Sequence, residues 1–328
     1  MRYLINSSHD PYYNMAFDEF SLQGLDVDEP VFYVWQNEPS VIIGLNQNAY
    51  GEVNIPYLNS HGIHLVRRVT GGGAVYHDLE NINYTIVGRS QSLETDYPGY
   101  MNYMVDALRE LGVPAELSGR NDILVEGRKV SGYAKRVWHD RLMVHGTLMY
   151  DVNLEELTNA LAVPGSKLEA AGIASVRSRV ANLKDYLPSL KSVGELMSEL
   201  TRILSRGYAD AEIVLTGEQL ASIRKEADEK FRTWEWTYGK SKEARFSEKK
   251  KFKCGTVEAE FSVDHGVISE LVFRGDFLGN LPVESLAAEL EGCRYDRASI
   301  AAVLKEQPVG KYFDGLTDGE LTSLLLGE

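Results

Sequence analysis

Residues 67–77 read Arg67-Arg68-Val69-Thr70-Gly71-Gly72-Gly73-Ala74-Val75-Tyr76-His77. Three successive glycines cost backbone entropy that a simple turn does not require. What they permit is close approach of a ligand to bare backbone amides, and the two preceding arginines add permanent positive charge. The loop lacks the closing Gly-Lys-Ser/Thr of a Walker A motif and the spacing of the dinucleotide fingerprint. On residue types alone two readings stand: an anion or ligand cradle, and a glycine-rich bend beside a solvated arginine pair. The flanks read as strands, Ile63–Val69 before the loop and Ala74–His77 and Ile82–Val87 after it, with Asp78–Asn81 as a turn.

Downstream, Gly119-Arg120-Asn121-Asp122-Ile123-Leu124-Val125-Glu126-Gly127-Arg128-Lys129-Val130-Ser131-Gly132 reads as a hairpin turning at Glu126-Gly127. Side chains alternate along a strand, so Asn121 and Ile123 share one face and Asp122 and Leu124 the other. The return strand brings Lys129 back toward Asn121 and Asp122. Such a lysine–carboxylate pair is either a clamp for a reacting phosphate or a surface ion pair worth ~0–1 kcal/mol. Ser131, Gly132 and Ala134 leave room for a ligand, and Arg136 follows on the same segment. His145-Gly146-Thr147 then interrupts an apolar strand, Leu142–Tyr150. The glycine suggests close backbone approach, and the histidine reads first as a hydrogen-bonded structural group.

Further out, Asp10-Pro11 reads as a helix start running through Leu22, with Met15, Ala16, Phe17 and Phe20 for the core. Val31–Trp35 and Val41–Gly44 read as strands. Tyr100–Leu111, the stretch from Asn153 to Leu161, Val193–Ser205 and Glu218–Arg232 read as helices, and Ala170–Asn182 as a loop. Tyr238–Lys253 is basic and poor in aliphatics, a linker or an exposed strand pair. Val257–Val263 and Val267–Phe273 alternate as an antiparallel pair, with short helices around Leu286–Leu290, Ser299–Leu304 and Leu321–Leu326.

The 328 residues suit roughly two domains. With 34 Lys+Arg against 48 Asp+Glu the net charge is −14, which argues against nucleic acid as the main partner. A hydrophobic content of 44% excludes a disordered chain. Cys254 and Cys293 form neither a disulfide framework nor a metal pattern. The opening MRYLINSSHDPYYN has no secretory apolar core, and no run approaches the ~20 apolar residues of a membrane span, so a cytoplasmic protein without membrane partners is expected. No Gly-x-Ser-x-Gly elbow and no histidine cluster suggests a hydrolase or a zinc site.

In order and spacing, RRVTGGGAVYHDLENINYTI, GRNDILVEGRKVSG and HGTLMYDV resemble the lipoate-protein ligases. Asn14–Glu19, Pro39–Asn48 and Ser178–Leu183 extend the resemblance, which covers about residues 1–240. The tail is similar to the C-terminal accessory domain of the bacterial ligases. Leu45 departs from the pattern, standing where many members carry arginine. The resemblance implies an α+β fold: a mixed, largely antiparallel sheet with flanking helices over residues 1–245, shared with biotin ligases and octanoyl transferases, then a small α/β domain over 246–328.

It also implies an acid–amino-acid ligase that forms an acyl-adenylate. Lipoate and ATP with Mg²⁺ would yield lipoyl-AMP and pyrophosphate, and the lipoyl group would pass to a lysine of a carrier domain. The expected carriers are lipoyl domains of 2-oxoacid dehydrogenase E2 subunits or the glycine-cleavage H protein, and a monomer is expected. By resemblance Lys129 is the catalytic cation. Arg68, Gly71, Gly72, Gly73, His77, Arg136, His145 and Gly146 would bind lipoate. Thr70, Gly73, Val75, Asn121, Asp122, Lys129 and Arg179 would bind the nucleotide, with Asp122 a candidate Mg²⁺ ligand. Arg177 and Arg179 would reach phosphate as the 170–182 loop orders over the adenylate.

No cysteine precedes Cys254, which disfavours a thioacyl-enzyme in the first domain. The rivals are an octanoate- or biotin-preferring ligase on the same scaffold and a catalytically silent carrier-protein-binding module. The glycine loop favours lipoate over biotin, and Lys129, Asn121 and the triple glycine stand against the silent module.

Overall fold

Asp10 starts the first helix in the computed structural model of the chain: its carboxylate accepts from the Tyr12 amide at 3.0 Å, and Pro11 occupies the first turn of α1 (Pro11–Gln23). The structure describes residues 1–25, 28–90, 93–118, 121–161, 179–208, 210–241 and 244–328. These pack as two units, Met1–Gln47 with Glu52–Thr233, and Asn48–Gly51 with Trp234–Glu328.

The first unit is built on eight strands: β1 (Arg2–Leu4), β2 (Val31–Trp35), β6 (Asn81–Arg89), β7 (Ala115–Ser118), β8 (Asp122–Val125), β9 (Arg128–Trp138), β10 (Arg141–Met149) and β11 (Glu212–Ile213). Their order is β11-β1-β2-β6-β10-β9-β8-β7. Only the β1 pairings are parallel; every other pairing in this sheet is antiparallel. A second sheet, β4-β3-β5, joins β3 (Ser40–Ile43) to β4 (His64–Arg67) and β5 (Val75–His77). The mixed, largely antiparallel architecture expected from the resemblance is therefore present.

Alternation along β6 and β10 separates core from site. Ile82, Tyr84 and Ile86 join Leu142, Val144 and Leu148 in a buried cluster with Met104 and Leu108 of the helix Leu93–Glu110 and Leu196 and Leu200 of the helix Val193–Leu204. The intervening Asn83, Thr85, His145 and Thr147 face the other way, toward α1 and the small sheet. The β8–β9 turn takes two left-handed residues, Glu126 (φ 50°) and Gly127 (φ 76°), as a tight hairpin requires. The 170–182 loop lies outside the described residues up to 178, and so do Arg177, Gly119 and Arg120.

The second unit is a three-stranded antiparallel sheet, β12 (Ala244–Phe252), β13 (Gly255–Asp264) and β14 (Val267–Gly275). Its inner face packs Val257, Ala259 and Ile268 with Leu286, Leu290, Ile300 and Leu321 of the helices that follow. Of the two readings open for Tyr238–Lys253, much of the segment is strand. The sequence places the boundary at 245/246, whereas residues 234–241 and 48–51 pack with the second unit. Aromatic rings explain this. Trp234 and Tyr238 stack at 6.1 Å, and Tyr50 lies 5.7 Å from Tyr238 and 5.3 Å from Tyr295. Among the described residues no helix is long and apolar enough to cross a membrane.

Candidate active site

The glycine loop is shaped from beneath. Arg67 is fully buried, and its guanidinium donates to the carbonyls of Gly44 (3.0 Å), Leu45 (3.1 Å) and Gln47 (2.6 Å). Arg68 donates to the carbonyls of Ile42 (2.9 Å), Gly71 (2.7 Å) and Gly73 (2.8 Å), and through Nε to Thr70 Oγ1 (3.0 Å). Burial lowers both guanidinium pKa values to about 10, yet both stay charged at neutral pH. The Leu45 amide donates to the Thr70 carbonyl at 2.8 Å, stitching residues 44–47 to the loop. A Cβ on Gly44 would stand 2.1 Å from the Gly72 carbonyl oxygen, and Gly72 itself holds φ 98°. Backbone approaches backbone here, so the glycine requirements at Gly72 in the loop and at Gly44 on the facing segment are architectural. Added Cβ atoms on Gly71 or Gly73 would meet nothing within 4 Å.

The loop closes one side of a cavity of about 190 Å³. Of the residues expected at the site, Arg68, Gly72, Gly73, Val75, His77, Asn121, Lys129, His145 and Gly146 line it. Thr70, Gly71, Asp122, Arg136 and Arg179 lie outside that lining. Thr70 is buried beneath it, Gly71 spends its carbonyl on Arg68, and Asp122 touches it through Lys129. Arg136 donates to the Val69 carbonyl at 3.0 Å and lies 5.8 Å over the Trp138 ring. Arg179 is exposed. Ala74, Gly132 and Ala134 line it too, and so do Met15, Trp35, Ile42, Asn83, Tyr133 and Thr147, which the sequence does not mark as site residues.

Lys129 Nζ lies 2.8 Å from Asp122 Oδ1, each side chain about one-third exposed (35% and 34%). A bulge between Ile123 and Leu124 makes this possible. Strict alternation would put Lys129 and Gly132 on opposite faces; instead the ammonium lies over Gly132, where an added Cβ would stand 2.9 Å from Nζ. The bare Gly132 faces Asp122 across the pairing. Asp122 Oδ1 is held by the Lys129 ammonium alone among the described residues, so it becomes an acceptor for another cation only when Lys129 leaves it. Among the described residues no three His, Cys, Asp or Glu side chains gather to hold a metal. A single carboxylate fits a Mg²⁺ whose other ligands are phosphate oxygens and water.

Behind the cavity runs a buried polar chain. His145 Nδ1 meets Asp18 Oδ2 at 2.6 Å, and Nε2 meets Thr70 Oγ1 at 2.7 Å. Asp18 Oδ1 also accepts from Tyr33 (2.5 Å) and Thr85 (2.7 Å). Burial and the Asp18 charge push the Tyr33 phenol well above its ordinary pKa. In the sequence Asp18 is legible only as part of the Asn14–Glu19 helix motif. Its signal was the stripe Met15, Asp18, Leu22: a carboxylate on an apolar helix face needs partners. His77 is buried as well. Burial, then the nearby Arg68 and His145, lowers its pKa from 6.5 to about 3, so it stays neutral.

Residues 10–205 match the lipoyl protein ligase A/B catalytic domain, and residues 241–325 match the bacterial lipoate protein ligase C-terminus. The chain is 37% identical over 327 residues to lipoate–protein ligase 1 of Staphylococcus aureus, covering 99% of this chain and all of that one. Among solved structures, a bi-partite lipoate protein ligase and its E2 lipoyl domain from Thermoplasma acidophilum superposes with a TM-score of 0.66. It is 31% identical and covers 73% of this chain and 96% of its own. A lipoate-protein ligase A bound with ATP gives a TM-score of 0.62 at 29% identity, covering 73% of this chain and 98% of its own.

Proposed function

The chain belongs to the lipoate-protein ligase family, and from that premise we propose that it activates lipoate with ATP and transfers the lipoyl group to a carrier-protein lysine. The observation that carries the reading is Lys129: a partly exposed cation paired with a carboxylate at the cavity, where Arg68, also in the wall, is buried and spent on backbone carbonyls.

Adenylation brings two anions together, a carboxylate and an α-phosphate. The carboxylate oxygen attacks phosphorus, the bond to the β-phosphate oxygen breaks, and pyrophosphate leaves. Fixed positive charge at the point of contact lowers that barrier. Lys129 supplies it, exchanging Asp122 for the incoming oxygens. Asn121 lines the same end of the cavity and orients the reacting groups. Mg²⁺ arriving with the nucleotide would neutralise phosphate charge, with the Asp122 carboxylate, once Lys129 has exchanged it for the substrate oxygens, as its protein ligand. In the second step the neutral amine of the acceptor lysine attacks the acyl carbonyl, AMP departs with the bond electrons, and the amine proton is released. Lys129 stays as an anchor for the leaving phosphate.

The acceptor is a lipoyl domain; E2 subunits of 2-oxoacid dehydrogenases and the glycine-cleavage H protein both offer one. A monomer acting in the cytoplasm suits the acidic surface and apolar core. The test is ATP–pyrophosphate exchange with lipoate, octanoate and biotin side by side, followed by the mass of an added lipoyl domain. Lipoate-dependent exchange with one lipoyl increment on the domain is expected. Exchange with biotin alone, or with none of the acids, would overturn the proposal.

A further inference from the structure

Two buried N–H donors in the cavity wall have no partner among the described residues: Asn83 Nδ2 and His77 Nε2. Asn83 is 1% and His77 3% exposed. Both are oriented from behind. Asn81 Nδ2 donates to Asn83 Oδ1 at 3.0 Å, which leaves the Asn83 amide nitrogen unbonded. Asn14 Nδ2 donates to Asn37 Oδ1 at 2.8 Å, so Asn37 presents its own Nδ2 to His77 Nδ1 at 3.0 Å. With Nδ1 accepting, the ring proton sits on Nε2. A native fold rarely leaves such donors unmatched, and a pair in one cavity points to a ligand that carries acceptors.

The sheet register places this pair relative to Lys129. The ammonium lies over Gly132, whose amide donates to Thr147 Oγ1 at 3.3 Å. Thr147 pairs with Asn83, and Asn83 pairs with Trp35. Gly132, Thr147, Asn83 and Trp35 thus form one row across four strands, β9-β10-β6-β2. Strands lie ~4.8 Å apart, so two spacings put Asn83 about 10 Å from Gly132. Seven carbon–carbon bonds, fully extended, reach about 8–9 Å by ordinary covalent geometry. An eight-carbon acid lying along the row with its carboxylate at Lys129 therefore ends at Asn83. The His77 ring stands edge-on to Trp35 at 6.4 Å, beside the same end.

We infer that Asn83, with His77, reads the far end of the acyl substrate and selects lipoate over octanoate. This rests on the ligase reading above and deepens it. Lipoate carries sulfur on C6 and C8, and sulfur accepts hydrogen bonds, if weakly. Octanoate offers only C–H bonds there, so with it bound both buried donors stay unmatched. Asn83 is the specificity-determining residue of the pair, since it alone lies in the row with Lys129.

The experiment measures kcat/KM for ATP–pyrophosphate exchange with lipoate and with octanoate, in wild type, Asn83→Leu and Asn83→Thr. Wild type is expected to prefer lipoate by about tenfold or more. Asn83→Leu should cut that ratio by about fivefold or more, mainly through a lower KM for octanoate. A purely structural Asn83 would weaken both acids alike, and an unchanged ratio overturns the inference. So does a wild type indifferent to the two acids. Asn83→Thr keeps an acceptor for Asn81 and gives the same comparison if the leucine variant fails to fold. If wild type exchanges with neither acid, the ligase reading fails on its own. Calorimetric binding of the two acids then decides the inference, with equal affinities overturning it and tighter lipoate binding that Asn83→Leu erases supporting it.

Discussion

Arg67 and Arg68 on one side of the cavity, and Lys129 on the other, carry the same charge and are held in opposite ways. The arginines are buried and bound to backbone carbonyls of residues 42–47 and 71–73. Neither can turn toward a ligand without orphaning several acceptors at once. Lys129 is one-third exposed and, among the described residues, its ammonium pairs with Asp122. A screened pair of that kind is worth ~0–1 kcal/mol, so its partner can be exchanged at little cost. Permanent charge beside a glycine loop is therefore not by itself a substrate clamp. Here the guanidiniums fix the loop's shape, and the mobile ammonium meets the anions.

The largest expected effect follows from that contrast. Lys129→Ala should lower kcat/KM for lipoate-dependent exchange by about 10³-fold, the scale of losing one preorganised charge, while leaving the thermal midpoint near that of wild type. Exchange within about tenfold of wild type would break the contrast at its centre. Arg67→Leu should do the reverse, costing about 3 kcal/mol of stability by urea unfolding through the unpaired carbonyls of Gly44, Leu45 and Gln47. Lost activity at full stability would mean that Arg67 serves the ligand and not the loop.

Gly132→Ala sharpens the comparison, because the obstacle its methyl group meets is Lys129 itself, 2.9 Å away. The ammonium is the end of a flexible chain and can move aside, so folding should be spared. The displaced charge should cost about 10²-fold in exchange, since a shift of about 1 Å in a reacting group has that scale. Assayed against lipoate, the variant is expected to lose kcat more than it raises KM.

How legible this was depends on the distance between partners in the chain. The Lys129–Asp122 pair spans one hairpin, and strand periodicity plus a two-residue turn nearly places it; the bulge that aims Lys129 over Gly132 has no local signature. The roles of Arg67 and Arg68 were not readable, because their acceptors are main-chain atoms of a different loop. The chain Asp18–His145–Thr70 joins a helix, a strand and a loop 127 residues apart at its widest. Only the mismatch of a carboxylate on the Met15–Leu22 stripe hinted at it. The strand reading of Ile82–Val87 gives Asn83 no role of its own. That β6 is covered on both faces follows from the α1 packing, which no property of residues 81–89 encodes. The place of the 234–241 segment is set by ring contacts between parts of the chain far apart in sequence, Tyr50 with Tyr238 and with Tyr295, which no local pattern encodes.

His77 carries the comparison to its smallest expected effect, since it lies near Arg68 and must hold no charge at all. Burial, Arg68 and His145 together take its pKa from 6.5 to about 3. Between those values the unfolded chain binds a proton that the folded chain refuses. The contribution of His77 to stability is therefore intact above about pH 6.5 and is lost as pH falls from there toward 3, at no more than about 1.4 kcal/mol per pH unit. In His77→Gln that titration is absent, so urea-unfolding free energies of the variant should decline less steeply than those of wild type across this window. Above pH 7 the two curves should run parallel, whatever their offset. Equal slopes below pH 6 would mean that the folded protein accepts the proton on His77. The ring nitrogen facing the cavity would then be able to carry charge, and the division between buried groups that set shape and Lys129 that meets anions would have to include a second cation at the acyl end.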